Sequence, residues 1–355
     1  MTSAFLYAIY ISAVLALVYG TKNKKHGNVF LALPFLVSVA YYFIRFDVGP
    51  DYHNYCLAFY EYASGGKIEF SSDYILWGIL SKIFSWTDRG YLFVFGIFGL
   101  VTQAFLFHTL KQRGVLFGGL FLFYTLGFFF HSLDAVRQMV AVTMFVYSIR
   151  HVENRSFSSF FRMNIMSFLL FHHSVVFPLL LYPLYNSTWL SKHYIAVPLF
   201  LSLLILQHLQ VFNLIWESLY VLGGVMYGKY EGSSYLFAGS FNTGLGHSFL
   251  SVIAFCSVLI TPQRYHVMRN MVFMGLVLHM IAAGNLNMER VALYFLMVMC
   301  VLLPDILKKK TLMIRVVVAI LCLIYWSANV QRAYFDFKTI FSDDFAIQHF
   351  EPRDY

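Results

Sequence analysis

The amino-acid sequence predicts an all-α, polytopic membrane protein, and three observations carry that prediction. Of 355 residues, 59% are hydrophobic and only 12% are charged, with a mean hydropathy of +0.67, which excludes a soluble globular domain of this length. Apolar runs of roughly 17–25 residues recur from end to end, the length a helix needs to cross ~30 Å of hydrocarbon. Backbone in lipid must satisfy its own hydrogen bonds, so such runs are helices. Finally, the short hydrophilic loops separate by charge, and Lys and Arg collect on the cytoplasmic side.

Taken in order, run 4–20 has the length of a signal peptide but lacks a basic start and a small-residue cleavage site, so it is expected to remain as a span. A basic loop, Lys22 to Lys25, leads into span 28–46, which the Gly49-Pro50 break terminates. Residues 47–90 form an outer segment; within it 74–86 is apolar, contains Lys82 and is too short to cross, and reads as an interfacial helix with Trp77 and Trp86 at headgroup level. Spans 91–110, 115–132 and 134–150 follow, the first two separated by Lys111 and Arg113. After the basic stretch Arg150 to Arg162 come 161–184, 193–209 and 211–226; the turn at Gln207–Gln210 is so short that the last two read either as two spans or as one bent or re-entrant unit. An outer, Gly-rich and Tyr-bearing loop, 227–246, precedes 245–261; Arg264 to Arg269 leads to 271–284. Spans 289–307 and 311–330 flank Lys308-Lys309-Lys310, and an outer, amphipathic tail covers 331–355. About twelve spans are expected, in one integral membrane domain over 1–355 with both termini outside. The inner loops then hold 14 basic and 2 acidic residues, the outer segments 11 and 15.

The net charge of +8 does not mark a nucleic-acid binder, because the basic residues are spread over short loops rather than gathered on one face. Cys56, Cys256, Cys300 and Cys322 show no metal spacing and read as small packing residues. A transporter would place ionisable groups near the midplane on broken helices in matching halves; here they cluster at the outer ends of spans.

Four segments carry chemistry. Arg45, Asp47, Asp51, Tyr52, His53, Asn54 and Tyr55 follow one another around the Gly-Pro break. His131, Asp134, Arg137 and Gln138 join two spans; Asp134 is placed to cap the following helix. Arg137, a cation near a positive dipole end, either pairs with Asp134 or faces a phosphate together with the helix-start amides. Glu289-Arg290 repeats the device at the start of another inward-running helix. His172-His173-Ser174 lies in an apolar run before Pro178, where polar groups face a bundle interior or wet cavity. No metal set is assigned, since adjacent histidines point to different faces. His279, Gln207, His208 and Glu217 are lesser candidates. Three arginines at one level would suit a di-anionic group, since Arg forks match phosphate oxygens.

Arg45, Gly49, Asp51, Tyr52, Asn54 and Tyr55, then Arg137-Gln138, then Phe171-His172-His173-Ser174, and Arg290 before Tyr294 and Phe295, together resemble the EpsG-like group of Wzy-type polysaccharide polymerases. Pro50 departs from that pattern and alters the turn. The resemblance covers most of the chain. It implies a GT-C-like glycosyltransferase of the bacterial inner membrane that polymerises undecaprenyl-diphosphate-linked oligosaccharide repeat units at the periplasmic face. Donor and acceptor are both lipid-linked glycans, no nucleotide sugar or other cofactor is needed, and membrane lipid and a chain-length regulator are further expected partners. Asp51, His172 and Glu289 are then the candidate bases. Arg137 and Arg290 would meet the diphosphate, and Arg45 diphosphate or sugar, with Gln138, Tyr52, Asn54, Tyr55 and His173 lining the substrate site. An O-antigen ligase, or another polyprenyl-linked glycan transferase, shares the donor and stays open as the alternative.

Overall fold

A computed structural model describes residues 2–21, 30–67, 75–212, 214–216, 245–282, 285–330 and 336–342. The expectations for Lys22 to Lys25, Glu217, 227–244 and most of the tail lie outside the described residues. The helices in chain order are α1 (Ser3–Gly20), α2 (Ala32–Ile44), α3 (Tyr52–Ala63), α4 (Ile75–Ile83), α5 (Tyr91–Gln112), α6 (Leu116–Thr125), α7 (Phe128–Asp134), α8 (Val136–Glu153) and α9 (Phe157–Leu170). They continue as α10 (Val176–Leu180), α11 (Tyr182–Tyr185), α12 (His193–His208), α13 (Leu245–Ile260), α14 (His266–Ala282), α15 (Leu286–Leu296), α16 (Met299–Leu307) and α17 (Leu312–Val330). No strand occurs among the described residues; an isolated bridge joins Arg45 and Thr339. The chain packs as two compact units, Met1–Val176 with Leu307–Asp354, and Phe177–Ile306 with Tyr355.

Among the described residues α1, α5 and the Asn287–Leu307 stretch are long and apolar enough to cross a membrane, and α6 with α7 forms an apolar pair bent by 65°, a broken span or a re-entrant loop. The bend falls at Gly127, whose φ of +81° is open to a residue without a Cβ. Exposed Phe5, Ile9, Leu33, Leu36, Val316 and Ile320 give the outer surface the apolar character that lipid requires.

In the first unit the centre is α8, buried from Val136 to Phe145 on every face. It packs between α5 and α9, and α5 also receives α2. The α2–α5 contact is close because α5 carries Gly96 and Gly99: a Cβ at either would overlap the Phe43 or Tyr42 ring at under about 3 Å. With 18 residues, α8 is about 27 Å long. At its far end Glu153 takes a forked ion pair from Arg113, with contacts of 2.5 and 3.2 Å; Lys308 Nζ donates to the Gly114 carbonyl at that same end, 2.7 Å away. Asp134 and Arg137 lie at the near end. The basic loops and the candidate site of this unit are therefore at opposite ends of one helix.

Three expectations need correction. Residues 47–90 contain α3, an amphipathic helix buried through Tyr52, Tyr55, Cys56, Phe59 and Tyr62. A helix is present there as α4, but Trp77 is fully enclosed and only Trp86 is exposed. Run 161–184 is not one helix, since α9 stops at Leu170 and a 3₁₀ turn, His173–Val175, follows His172.

The second unit gathers α11, α12, α13 and α15 around α14. Here contacts join segments that the sequence reading places on opposite sides. Residues 185–192 were expected outside and Arg264 to Arg269 inside, yet Arg269 Nε donates to Ser191 Oγ (2.8 Å) and Asn270 Nδ2 to the Ser187 carbonyl (2.7 Å). Lys192 and Arg269 line one cleft of about 550 Å³. At the other end of α14, Trp216 Nε1 donates to the Ile281 carbonyl, 2.8 Å away, so 211–216 stays at that end.

Candidate functional site

The site of the first unit is built on the turn after α2. Arg45 ends α2 and is 0% exposed. Its Nη1 donates to the Val48 carbonyl (3.0 Å) and, in a short contact, to the Leu133 carbonyl. The guanidinium also lies over the Phe95 ring, 4.3 Å from its centroid. Arg45 thus ties the 46–50 turn to the α7–α8 junction, where the sequence had suggested a ligand contact.

The turn itself is strained and closely fitted. Asp47 adopts φ +49° and Gly49 φ +94°. A Cβ on Gly49 would meet Asp134 Cα at 3.1 Å and its Oδ1 at 3.3 Å. That closeness lets Asp134 Oδ1 accept the Asp51 backbone N–H at 2.9 Å, at the start of α3. The expected cap is therefore reassigned: the N-cap of α8 is Ala135, which has no capping side chain, and Asp134 serves the helix start 83 residues earlier. Asp47 is held on both oxygens, by His53 Nε2 at 2.7 Å and Lys338 Nζ at 3.2 Å.

Residues 336–342 lie along this turn. The Phe46 N–H donates to the Lys338 carbonyl (3.2 Å), the Ile340 N–H to the Ile44 carbonyl (2.8 Å), and Phe337 stacks on Tyr41 with ring centroids 4.8 Å apart.

The remaining motif residues converge on this scaffold. Tyr52 is fully enclosed and stacks on Phe95 at 5.0 Å; Tyr55 packs on Trp77 at 4.7 Å. Arg137, 7% exposed in the first turn of α8, lies over the Tyr55 ring at 5.4 Å. Gln138 Nε2 donates to Ser174 Oγ (3.3 Å), and Ser174 Oγ lies 2.7 Å from His172 Nδ1. The Ser174 backbone N–H, which can only donate, points to the same Nδ1 at 3.2 Å. Neutral His172 therefore accepts at Nδ1 and carries its proton on Nε2. His173 turns instead to the Phe168 ring, 4.6 Å away, and Asn54 faces outward from α3. Burial pushes the Tyr52 hydroxyl and the Cys56 thiol well above their ordinary ranges, so both stay neutral.

The third arginine belongs to the second unit. Asn285 caps α15, its Oδ1 accepting the Met288 N–H at 3.2 Å. Glu289 and Arg290 follow in the first turn, both half-buried. Glu289 Oε1 lies 3.3 Å from His247 Nδ1, and the His247 ring stacks on His279 with centroids 3.7 Å apart.

Three of the four sequence segments, 45–55, 131–138 and 171–174, are thus joined in the first unit by named contacts. Sequence reasoning missed His247, the Asp47–Lys338 contact and the partner of Asp134. His247 had a signal, since it begins an expected span on the same side as Glu289; the other two rest on pairings far apart in sequence. The model of the EpsG family matches residues 28–342, a range that includes all of these residues. Comparison with curated proteins and with solved structures returns no match.

Proposed function

The chain belongs to the EpsG family of Wzy-like polysaccharide-biosynthesis proteins, and from that membership we propose that it joins lipid-diphosphate-linked oligosaccharide repeat units into polymer at the outer face of the bacterial cytoplasmic membrane. The donor is a repeat unit or growing chain on undecaprenyl diphosphate. The acceptor is a second lipid-linked unit, and the architecture is GT-C-like.

The observation that carries this reading is the junction of Arg45, Asp51, Arg137, Gln138 and His172 at one end of α8, opposite the Arg113–Glu153 end. The leaving diphosphate gains charge in the transition state, and a cation held among rings stabilises it more than one in water. Arg137 is the diphosphate contact in this unit. Arg45, enclosed and committed to two carbonyls, is a positioning residue. Asp51, half-buried at the start of α3, takes the acceptor proton. Because His172 carries its proton on Nε2, it serves as a hydrogen-bond donor to sugar or phosphate rather than as the base.

Arg137→Ala in cells is expected to leave single-repeat glycolipid and to lower long-chain polymer by about 10²–10³. Long chains at normal levels would remove Arg137 from the site. In a deletion strain, accumulated lipid-linked long polymer would instead identify a ligase.

The topology that goes with this reading has ten crossings rather than twelve. Segment 157–185 enters and leaves on the inner side, and Trp216 stays on the outer side. Support comes from the Ser187–Ser191 contacts with Arg269 and Asn270, and from Trp216 on Ile281. Moving Lys192 inward also follows the positive-inside tendency. In cells lacking Cys256, an impermeant maleimide is expected to label Lys67→Cys but neither Lys309→Cys nor Lys192→Cys. Labelling at position 192 would restore twelve spans.

A further inference from the structure

We propose that His247, His279 and Glu289 form a divalent transition-metal site in the second unit, with Zn²⁺ the ion that fits the donors best. The three residues come from three helices, the start of α13, the end of α14 and the first turn of α15. One ligand atom from each lies within 4.8 Å of the others. His247 Nδ1 and Glu289 Oε1 are 3.3 Å apart, close to the ~3.4 Å that separates two ligands held ~2.1 Å from a tetrahedral Zn²⁺. The two imidazoles stack at 3.7 Å with planes 25° apart, so binding requires one ring to turn about its Cβ–Cγ bond and bring its in-plane lone pair onto the shared ion.

The donor set selects the ion class. Two imidazole nitrogens and one carboxylate oxygen suit Zn²⁺ and its first-row neighbours, whereas Ca²⁺ and Mg²⁺ take oxygen ligands. A hydrogen bond from His279 Nε2 to the His247 carbonyl, 3.3 Å, would fix that ring's tautomer, the usual support behind a metal-bound imidazole. The site is shielded yet reachable: the His247 side chain is 9% exposed and that of Glu289 30%. Three protein ligands leave a coordination position for water or an anionic oxygen.

Two consequences follow. The ion would link α13, α14 and α15 at the helix start that carries Arg290, so it positions that arginine. Glu289 becomes a ligand and leaves the set of candidate bases. Neither consequence depends on which glycan transfer the protein performs.

The test uses the full chain, purified in detergent and stripped with chelator, then titrated with Co²⁺ alone. One equivalent should bind with visible d–d absorption, and Zn²⁺ should displace it. Glu289→Gln and His279→Asn should each weaken Co²⁺ binding by more than about 100-fold, with an unchanged elution volume on size-exclusion chromatography; Glu289→Asp should recover part of it. Sub-stoichiometric Co²⁺ binding to the wild-type chain would overturn the site whether or not the variants fold. So would equal binding by wild type and both folded variants.

Discussion

The starts of α8 and α15 look alike in sequence, each with an acid closely followed by an arginine, but they are built for different work. At α8 the acid sits before the helix, leaves Ala135 uncapped and reaches back to the Asp51 N–H, so it stitches a distant loop to the junction. At α15 the cap is Asn285, which frees Glu289 from capping and lets it face His247. An acid near a helix start announces favourable electrostatics with the dipole. It does not announce which donor the carboxylate will take; that depends on what tertiary packing brings within 3 Å.

The contrast can be broken or sharpened by substitution. The largest effect is expected from Arg45→Ala, which leaves the Val48 and Leu133 carbonyls without their charged donor in an enclosed site. Charge-assisted bonds of this kind contribute about 1.5–3 kcal/mol each, so thermal unfolding in detergent should shift down by several degrees. A change of under a degree would mean that the α7–α8 junction does not need the arginine. Gly49→Ala comes next, at roughly 1–3 kcal/mol, because it combines a φ of +94° with a 3.1 Å contact on Asp134. Gly65→Ala is its control, with φ +106° and nothing within 4 Å of the added Cβ. Equal losses at the two glycines would show that backbone strain, not the fit against Asp134, sets the cost. The smallest effect is Asn285→Ala, at about 1 kcal/mol for a lost cap, read as faster hydrogen exchange in the first turn of α15 with the α8 start unchanged.

Much of the helical framework was legible because span length and charge separation are local properties. The ends of α1, α5, α12, α13 and α17 fall within a few residues of the expected runs. α3 was not read, although Tyr52, Tyr55, Cys56, Phe59 and Tyr62 fall at helical spacing. The break at His172 was harder to see, since Phe171 to Leu181 is apolar apart from His172, His173 and Ser174 and nothing in a hydropathy pattern separates a bent pair from one helix. Of the site, the residue types were readable and their partners were not. Arg45 was read as a ligand contact, and its bond from Nη1 to the Leu133 carbonyl, 88 residues away, was not readable. The neighbourhood of Lys192 was hidden for a related reason: charge counting treats each loop alone, whereas the Ser191–Arg269 contact is a fact about packing.

The strap formed by residues 336–342 sets an order of events in biosynthesis. Asp47 and Lys338 are separated by 291 positions. At about 5–20 residues per second, the ribosome needs roughly 15–60 s to deliver Lys338 after the Arg45 turn has entered the membrane. For that interval Asp47 lacks its contact with Lys338, and the turn lacks the segment that pairs with the Phe46 N–H and the Ile44 carbonyl. The turn that carries the candidate site is therefore completed late in translation, and a nascent chain stalled before residue 336 would lack the segment that pairs with it.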